Sequence, residues 1–200
     1  MNTAVAEPIS AYQGLLYTIL QRPREREHGG LVIALTSANP GEGVTHTVRT
    51  LAGELSEFSH GAVARIDLEH LKRQSVSPAE VRSYASRRAS DLPEWAPYAQ
   101  QAGKDNQWHG SRSYRLECIE QLRKDFQHVL IDCPALRGSG DVLSLASLVD
   151  GVILVVEADR TRKEQILHAE RSITGAGGSL LGYILNKRRY LIPEWIYSRL

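Results

Sequence analysis

Five short runs of valine, isoleucine and leucine constrain the fold of this 200-residue chain more than any other feature. Each run is continuous rather than alternating, which is typical of strands buried on both faces of a parallel sheet. Segments with helical spacing lie between the runs, so the pattern predicts an α/β fold, a doubly wound, mainly parallel sheet flanked by helices. The predicted strands are residues 31–35, 62–66, 128–131, 151–156 and 180–185, and the predicted helices are residues 45–58, 114–126 and 161–174.

Two segments stand outside this alternation. Apolar residues at helix-like intervals predict a leading helix at residues 10–20, followed by a polar linker. The polar stretch 75–113 contains prolines and predicts surface loop with one or two short helices. We therefore expect residues 1–28 to form a leading helix and linker, and residues 29–200 to form a single globular domain.

Composition excludes several classes of function. The chain has 24 basic and 23 acidic residues, so its formal charge of +1 creates no general attraction to nucleic acid or to a membrane surface. Cys118, Cys133 and the seven histidines show no metal-ligand spacing. No window approaches the ~20 apolar residues of a membrane span. We expect a cytoplasmic protein with reduced thiols that binds no nucleic acid and reaches a membrane only through a partner.

The segment TSANPGEGVTHT, residues 36–47, resembles a phosphate-binding loop without its lysine. It follows a predicted strand and precedes a predicted helix, which is the context that such a loop requires. Glycines permit a tight backbone whose N–H groups converge on phosphate oxygens, and a threonine supplies a hydroxyl where such loops bind Mg²⁺. A glycine-rich turn with no ligand is the alternative. The expected nucleotide-binding residues are Pro40, Gly41, Glu42, Gly43, Val44, Thr45 and His46.

Acidic residues end two other predicted strands. Asp67 follows VARI, and Asp132 ends VLID. The carboxyl ends of parallel strands meet at one edge of the sheet, where ligands bind in open α/β folds, so both carboxylates should lie beside the loop. Such a group holds Mg²⁺ or its water shell, or orients an attacking water. We therefore predict Asp67 and Asp132 as catalytic residues and, together with Thr45, as the Mg²⁺ ligands if nucleotide binds.

Taken together, these motifs resemble the bacterial tyrosine kinases of capsule and exopolysaccharide synthesis. Those kinases are part of a wider group of deviant P-loop ATPases that includes MinD and ParA. The resemblance rests on PGEGVT, ARIDLE and VLIDCP, and more specifically on LASLVDGVILVVEADRTRKEQ and LLGYILNKRRYLIPEWIYSRL in the C-terminal half. It extends from about residue 10 to the C-terminus, except for a poorly matched middle, and implies a P-loop NTPase-like domain at residues 29–200.

The first two family motifs are incomplete in this chain. Val44 stands where the family has lysine, whereas Thr45 keeps the hydroxyl. Asp67 is kept, but Glu69 replaces the second aspartate and Leu71 stands in the place of an arginine. The resemblance therefore implies a nucleotide site with reduced charge.

Later matches are mixed. Asp132 and Pro134 reproduce the third motif, and Asn186 matches an asparagine that contacts adenine in the wider group. The kinases end in a tyrosine cluster, of which Tyr190 and Tyr197 remain as candidate phosphoacceptors. The charged self-association motif of the leading helix is missing, and its places are taken by Ser10, Gln13, Leu16, Tyr17 and Thr18.

The missing lysine sets the expected activity. One charge-assisted hydrogen bond contributes roughly 1.5–3 kcal/mol, so nucleotide binding should weaken by about 10- to 150-fold. Catalysis should suffer more, because the charge to be stabilised is larger in the transition state. Lys72 and Lys163 are candidate replacements for the missing cation.

These expectations lead to a hypothesis with alternatives. The hypothesis is a degenerate, pseudokinase-like regulator of exopolysaccharide or capsule biosynthesis, with weakly bound ATP or ADP and Mg²⁺, or no cofactor. Its expected partner is a membrane chain-length-determinant or co-polymerase protein, or an active kinase paralogue, which would bring it to the inner membrane. Whether it forms homo-oligomers is left open. The alternatives are an active, divergent ATPase or protein-tyrosine autokinase, and a MinD- or ParA-like positioning ATPase; the absence of a terminal membrane helix or basic DNA patch disfavours the last.

Overall fold

Helices and strands alternate along the chain in a computed structural model that describes residues 14–15, 29–58, 62–73 and 111–188. The predicted strands are all present within these ranges. The elements are β1 (Leu31–Ser37), α1 (Val44–Phe58), β2 (Val63–Asp67), α2 (Leu68–Arg73), α3 (Arg112–Asp125), β3 (His128–Asp132), α4 (Asp141–Ala146), β4 (Gly151–Glu157), α5 (Lys163–Gly175) and β5 (Leu180–Asn186).

The strands form one five-stranded sheet in the order β2-β3-β1-β4-β5. Every strand pair is parallel, so all five carboxyl ends lie along one edge. β1 is central, and the loop that leaves it therefore emerges in the middle of that edge. The predicted fold class, a parallel α/β sheet flanked by helices, is confirmed.

Both faces of the sheet are covered by apolar side chains. In β1, Leu31, Ile33 and Leu35 face one core, which is completed by α1. Val32 and Ala34 face the other core, to which α2, α3, α4 and α5 contribute. Continuous apolar runs are thus explained, because a strand covered on both sides needs an apolar residue at every position.

Helix α1 begins directly at the end of the loop and presents one apolar stripe to the sheet. Its buried residues are spaced three or four apart, as an amphipathic helix requires. The stripe consists of Val44, Thr47, Val48, Leu51, Ala52 and Leu55. The position of the loop is therefore fixed by packing that starts at its last residue.

Two short helices were not predicted from the sequence. α2 and α4 have six residues each, too few for an apolar repeat to be recognised. α2 starts where the Oδ1 of Asp67 accepts a hydrogen bond from the Glu69 N–H at 2.8 Å. A carboxylate in this position caps the first turn of a helix.

Some predictions fall outside the described residues. Of the leading helix, only Gly14 and Leu15 are described; both are helical, and Leu15 packs against the α1 core. Most of the polar stretch 75–113, together with Tyr190 and Tyr197, lies outside the described residues. None of the helices described is both long and apolar enough to cross a membrane.

Candidate nucleotide-binding site

The loop between β1 and α1 has a backbone that requires glycine at two positions. Gly41 has φ of +83° and Gly43 has φ of +96°, in the left-handed region that other residues rarely adopt. A Cβ on Gly43 would lie 2.1 Å from the Nδ2 of Asn186, whereas a Cβ on Gly41 would meet nothing within 4 Å. Glycine at position 43 is therefore needed for space as well as for backbone conformation.

Glu42 holds the loop in shape. Its side chain is buried, with 2% of its surface exposed. One carboxylate oxygen accepts the Ala38 N–H at 3.1 Å, and the other accepts the Asn39 amide at 2.9 Å and the Thr161 hydroxyl at 2.6 Å. The Glu42 carboxylate is thus occupied by protein donors and ties the loop to the turn after β4.

The end of β5 braces the same loop from the other direction. The Asn186 Nδ2 donates to the Glu42 carbonyl at 2.9 Å. The Lys187 Nζ donates to the Gly41 carbonyl at 2.6 Å and also lies 3.1 Å from a carboxylate oxygen of Glu157. Sequence reasoning did not identify this role of Lys187. The adenine contact expected of Asn186 remains a prediction, since its amide here contacts the loop.

Val44 places an apolar side chain where a P-loop has its cation. The side chain is 9% exposed and belongs to the core that α1 forms with the sheet. The next two residues, Thr45 and His46, are exposed. The start of α1 therefore offers backbone N–H groups and a hydroxyl to an anion but no positive side chain at position 44.

The predicted metal ligands come together at the carboxyl edge of β2 and β3. Asp67 and Asp132 are paired in register on neighbouring strands, and the Thr45 hydroxyl forms a hydrogen bond with Asp132. Burial raises the pKa of Asp132 to about 6; the hydrogen bond from Thr45 opposes this shift and the negative charge of Asp67 adds to it. The carboxyl of Asp132 is therefore poised between its neutral and charged forms near neutral pH.

Two arginines that the sequence analysis did not single out act on this carboxyl. Arg49 lies on α1, one turn after Thr45, and Arg65 lies on β2 with 8% of its surface exposed. Both favour the charged form of Asp132. Burial lowers the pKa of Arg65, and the positive charge of Arg49 lowers it further. An arginine stays protonated nonetheless, so two positive charges partly offset Asp67 and Asp132.

The oxygen donors fit Mg²⁺, and the loop fits phosphate. A hydroxyl and carboxylates are the ligands that Mg²⁺ prefers, and Mg²⁺ keeps several waters and takes phosphate oxygens beside one or two carboxylates. The described residues contain no group of three or more His, Cys, Asp or Glu that could hold a metal by themselves. Thr45, Asp67 and Asp132 would therefore hold Mg²⁺ together with a bound nucleotide rather than alone.

Neither of the two lysines considered as candidate replacements for the missing cation has a recorded contact with the loop. Lys72 is held by Asp141 at 2.5 Å and by Glu69 at 2.8 Å. Burial lowers the pKa of Lys72, but its hydrogen bonds to Asp141 and Glu69 and the negative charges of both residues together raise it by more, so the net shift is upward. Lys163 is exposed at the start of α5. Leu71, in the place of a family arginine, is buried in the core.

Comparison with curated proteins gives matches to tyrosine kinases. The chain is 32% identical over 75 residues to tyrosine-protein kinase CpsD of Streptococcus agalactiae, a match covering 38% of this chain and 33% of that protein. It is 24% identical over 173 residues to tyrosine-protein kinase YwqD of Bacillus subtilis, covering 78% and 72%. It is also 39% identical over 72 residues to the succinoglycan biosynthesis transport protein ExoP of Rhizobium meliloti, covering 34% and 9%. The chain is related to the bacterial tyrosine kinases of capsule and exopolysaccharide synthesis.

The extent of these matches varies. The alignment to the CpsD proteins of Streptococcus agalactiae spans about a third of their length. No family model matches the chain. The resemblance predicted from the motifs is nevertheless confirmed by these relatives.

Solved structures agree on the fold. The kinase domain of VpsO superposes with a TM-score of 0.63 at 24% identity, covering 90% of this chain and 93% of that one. The chimeric protein CapA2B2 gives 0.66 at 17% identity, covering 94% and 88%. The cell division protein MinD of Aquifex aeolicus gives 0.53 at 17% identity, covering 85% and 73%. The fold is therefore that of P-loop kinase domains and MinD.

Proposed function

We propose that this protein is a pseudokinase-like regulator of exopolysaccharide or capsule biosynthesis. Val44 carries the proposal, because a buried valine occupies the position from which a P-loop lysine reaches the phosphates. That lysine stabilises charge that grows during phosphoryl transfer, and valine cannot. The protein binds ATP or ADP with Mg²⁺ weakly, or not at all, and turns it over slowly or not at all.

Regulation would occur through protein contacts. A membrane chain-length-determinant or co-polymerase protein, or an active kinase paralogue, is the proposed partner, and that partner would hold the protein at the cytoplasmic face of the inner membrane. The relationship to capsule kinases and to ExoP supports this pathway. Co-purification of the full chain with such a membrane protein tests the contact.

Calorimetric titration with ADP and ATP in the presence of Mg²⁺ tests the site. The parent is compared with Val44→Lys, which restores the charge, and with Val44→Met, which provides an apolar side chain of similar length without it. A lysine at position 44 can extend its charged end beyond the core, so both variants should fold. We expect Val44→Lys to bind nucleotide about 10- to 150-fold more tightly than Val44→Met.

Turnover decides between this proposal and the enzyme alternative. The parent should hydrolyse ATP and phosphorylate its own tyrosines far below the rates of roughly 1 s⁻¹ or more that kinases reach. Kinase-like turnover that disappears in Asp132→Asn would show an active autokinase with another cation in place of the lysine. That result would end the pseudokinase proposal.

A further inference from the structure

An open cavity of about 630 Å³ lies beside the first half of the loop. Its volume is within the range of sites that bind small ligands or one large side chain. We call it the arginine cavity. It is lined by Asn39, Pro40, Glu42, Arg137, Arg160, Arg162 and Gln165.

Backbone hydrogen bonds place the first arginine there. The segment after β3 continues alongside the end of β1, with Leu136 N–H donating to the Ser37 carbonyl at 2.9 Å and Arg137 N–H to the Ala38 carbonyl at 3.1 Å. Arg137 therefore emerges next to Asn39, although it is almost one hundred positions away in the sequence.

The turn after β4 places the other two arginines. The Thr161 hydroxyl accepts the Glu157 N–H at 3.1 Å and donates to Glu42, which fixes the turn against the loop. Gln165 adds a second link, because its Nε2 donates to the Asn39 Oδ1 at 3.2 Å. Arg160 and Arg162 flank Thr161 and are carried to the cavity by these bonds.

Positive charge in the cavity is not balanced by its lining. Glu42 is the one acidic residue among the lining residues, and both its oxygens are engaged by protein donors. Arg160 lies 3.2 Å from Glu157, but Arg137 and Arg162 form no ion pair with any carboxylate in the described ranges. Three guanidinium groups thus surround one open cavity, and within the described ranges two of them, those of Arg137 and Arg162, have no carboxylate partner.

Guanidinium groups bind phosphate through paired, charge-assisted hydrogen bonds, and clusters of arginines recognise phosphorylated groups. The cavity is adjacent to the phosphate-binding loop but excludes residues 43–46, whose N–H groups would hold a nucleotide's inner phosphates. We propose that the arginine cavity binds a terminal phosphate group, presented either by a phosphotyrosine side chain or by the end of a nucleoside triphosphate. The phosphotyrosine source rests on the proposed function, since an active kinase paralogue would carry it; the triphosphate source does not.

Fluorescence anisotropy and calorimetry with four probes test the proposal on the full chain. The probes are a tyrosine-rich peptide with one phosphotyrosine, its unphosphorylated twin, ATP with Mg²⁺ and ADP with Mg²⁺. The cavity variant combines Arg137→Gln with Arg162→Gln. The control combines Arg112→Gln with Arg171→Gln, two exposed arginines outside the cavity, so both proteins lose the same charge.

We expect the cavity variant to weaken binding of one phosphorylated probe by about 10-fold or more, and the control by less than about 2-fold. Loss for the phosphopeptide, with no binding of its twin, identifies phosphotyrosine as the source. Loss for ATP without loss for ADP identifies the third phosphate of a triphosphate. Equal binding of the two peptides would exclude phosphotyrosine as the source, and equal effects of the two double variants on every probe would overturn the proposal.

Three further measurements keep the result interpretable. Thermal unfolding of each variant shows whether the cavity variant is folded, and Arg137→Lys with Arg162→Lys retains the charge but loses the paired geometry, so binding should be partly restored. ATP turnover is measured on the parent alone. Kinase-like turnover would refute the proposed function while leaving the arginine variants to decide the cavity.

Discussion

The two sides of the loop between β1 and α1 carry opposite charge. On the acidic side, β2 and β3 end in Asp67 and Asp132. On the basic side, the turn after β4 and the residue after β5 carry Arg160, Arg162 and Lys187. The loop between them has no cation of its own, because Val44 is apolar and buried. Oxygen donors suited to a metal thus lie on one side of the loop, and positive charge lies on the other.

The two sides also differ in how their charges are satisfied. The Asp132 carboxyl is partly buried and has positive groups, Arg49 and Arg65, in its electric field. On the basic side, Glu157 is shared by Arg160 and Lys187. The hydrogen bond from Lys187 is the main cause that lowers the pKa of Glu157. The charge state of Asp132 therefore depends on desolvation, whereas Arg160 and Lys187 are held at the surface by their ion pairs with Glu157.

The largest expected effect on stability comes from disrupting the backbone conformation of the loop between the two sides. Gly43→Ala should lower the free energy of unfolding by about 2–4 kcal/mol, because alanine is strained at this φ and its Cβ meets the Asn186 amide. Denaturant unfolding measures the loss. Gly41→Ala is the matched control, since it has the same backbone strain but open space around the Cβ, and should cost only about 1–2 kcal/mol.

Adding Asn186→Ala separates strain from contact in this comparison. The second substitution removes the group that the alanine Cβ would meet, so part of the loss in Gly43→Ala should be recovered. If the loss of stability in the double variant equals the sum of the losses in Gly43→Ala and Asn186→Ala, the contact with Asn186 is not the reason that position 43 needs glycine.

The acidic side can be tested by pH. The pKa of Asp132 is raised from 3.8 to about 6, so the folded protein binds this proton more tightly than the unfolded chain does. The contribution to stability is full below pH 3.8 and is lost as the pH rises through about 6. At pH 7.5, Asp132→Asn should therefore be more stable than the parent by up to about 3 kcal/mol, and near pH 4 the difference should disappear.

Urea unfolding of both proteins at the two pH values measures this difference. Asp67→Asn is the matched control: its side chain is exposed, so the change should stay below about 0.5 kcal/mol at either pH. A parent that is as stable as Asp132→Asn at pH 7.5 would mean that Arg49 and Arg65 fully offset the cost of burying the Asp132 charge.

Removing the hydrogen bonds by which Glu42 links the loop to the basic side is expected to have an intermediate effect on stability. Glu42→Gln replaces a carboxylate that accepts three hydrogen bonds with an amide whose NH₂ cannot accept, and should cost about 1–2 kcal/mol. Thr161→Val removes one donor from the same group. If Glu42 and Thr161 form one unit, denaturant unfolding of the double variant should show a loss smaller than the sum of the two, whereas additive losses would mean that they act independently.

The acidic side and the arginine cavity differ in how well a sequence can reveal them. Asp67 and Asp132 were identified because each ends an apolar run, and parallel strands end at a common edge. The role of Glu42 could not be predicted, because its hydrogen bond to Thr161 joins residues that are 119 positions apart in the sequence. Arg137 reaches the cavity by backbone bonds to residues 37 and 38, which no local pattern signals. Motifs that lie within one segment could be recognised from the sequence. Groups of residues that are brought together by contacts between distant turns could not.

Lys187 gives the smallest expected effect and the sharpest distinction between the two sides. Its ammonium donates to the Gly41 carbonyl, which is the acceptor side of a loop whose N–H groups would face an anion. Lys187→Met should therefore change ADP affinity by less than about 3-fold, which is below the effect of one charge-assisted hydrogen bond to phosphate. Calorimetric titration with ADP and Mg²⁺ measures the affinity, and Lys163→Met, a change at an exposed lysine, is the control for net charge.

A loss of affinity of about 10-fold or more in Lys187→Met alone would mean that Lys187 leaves Gly41 and Glu157 when nucleotide binds and reaches the phosphates. The basic side would then supply the cation that position 44 lacks, and the expected lack of turnover would have to be explained by the geometry of that lysine rather than by the absence of charge.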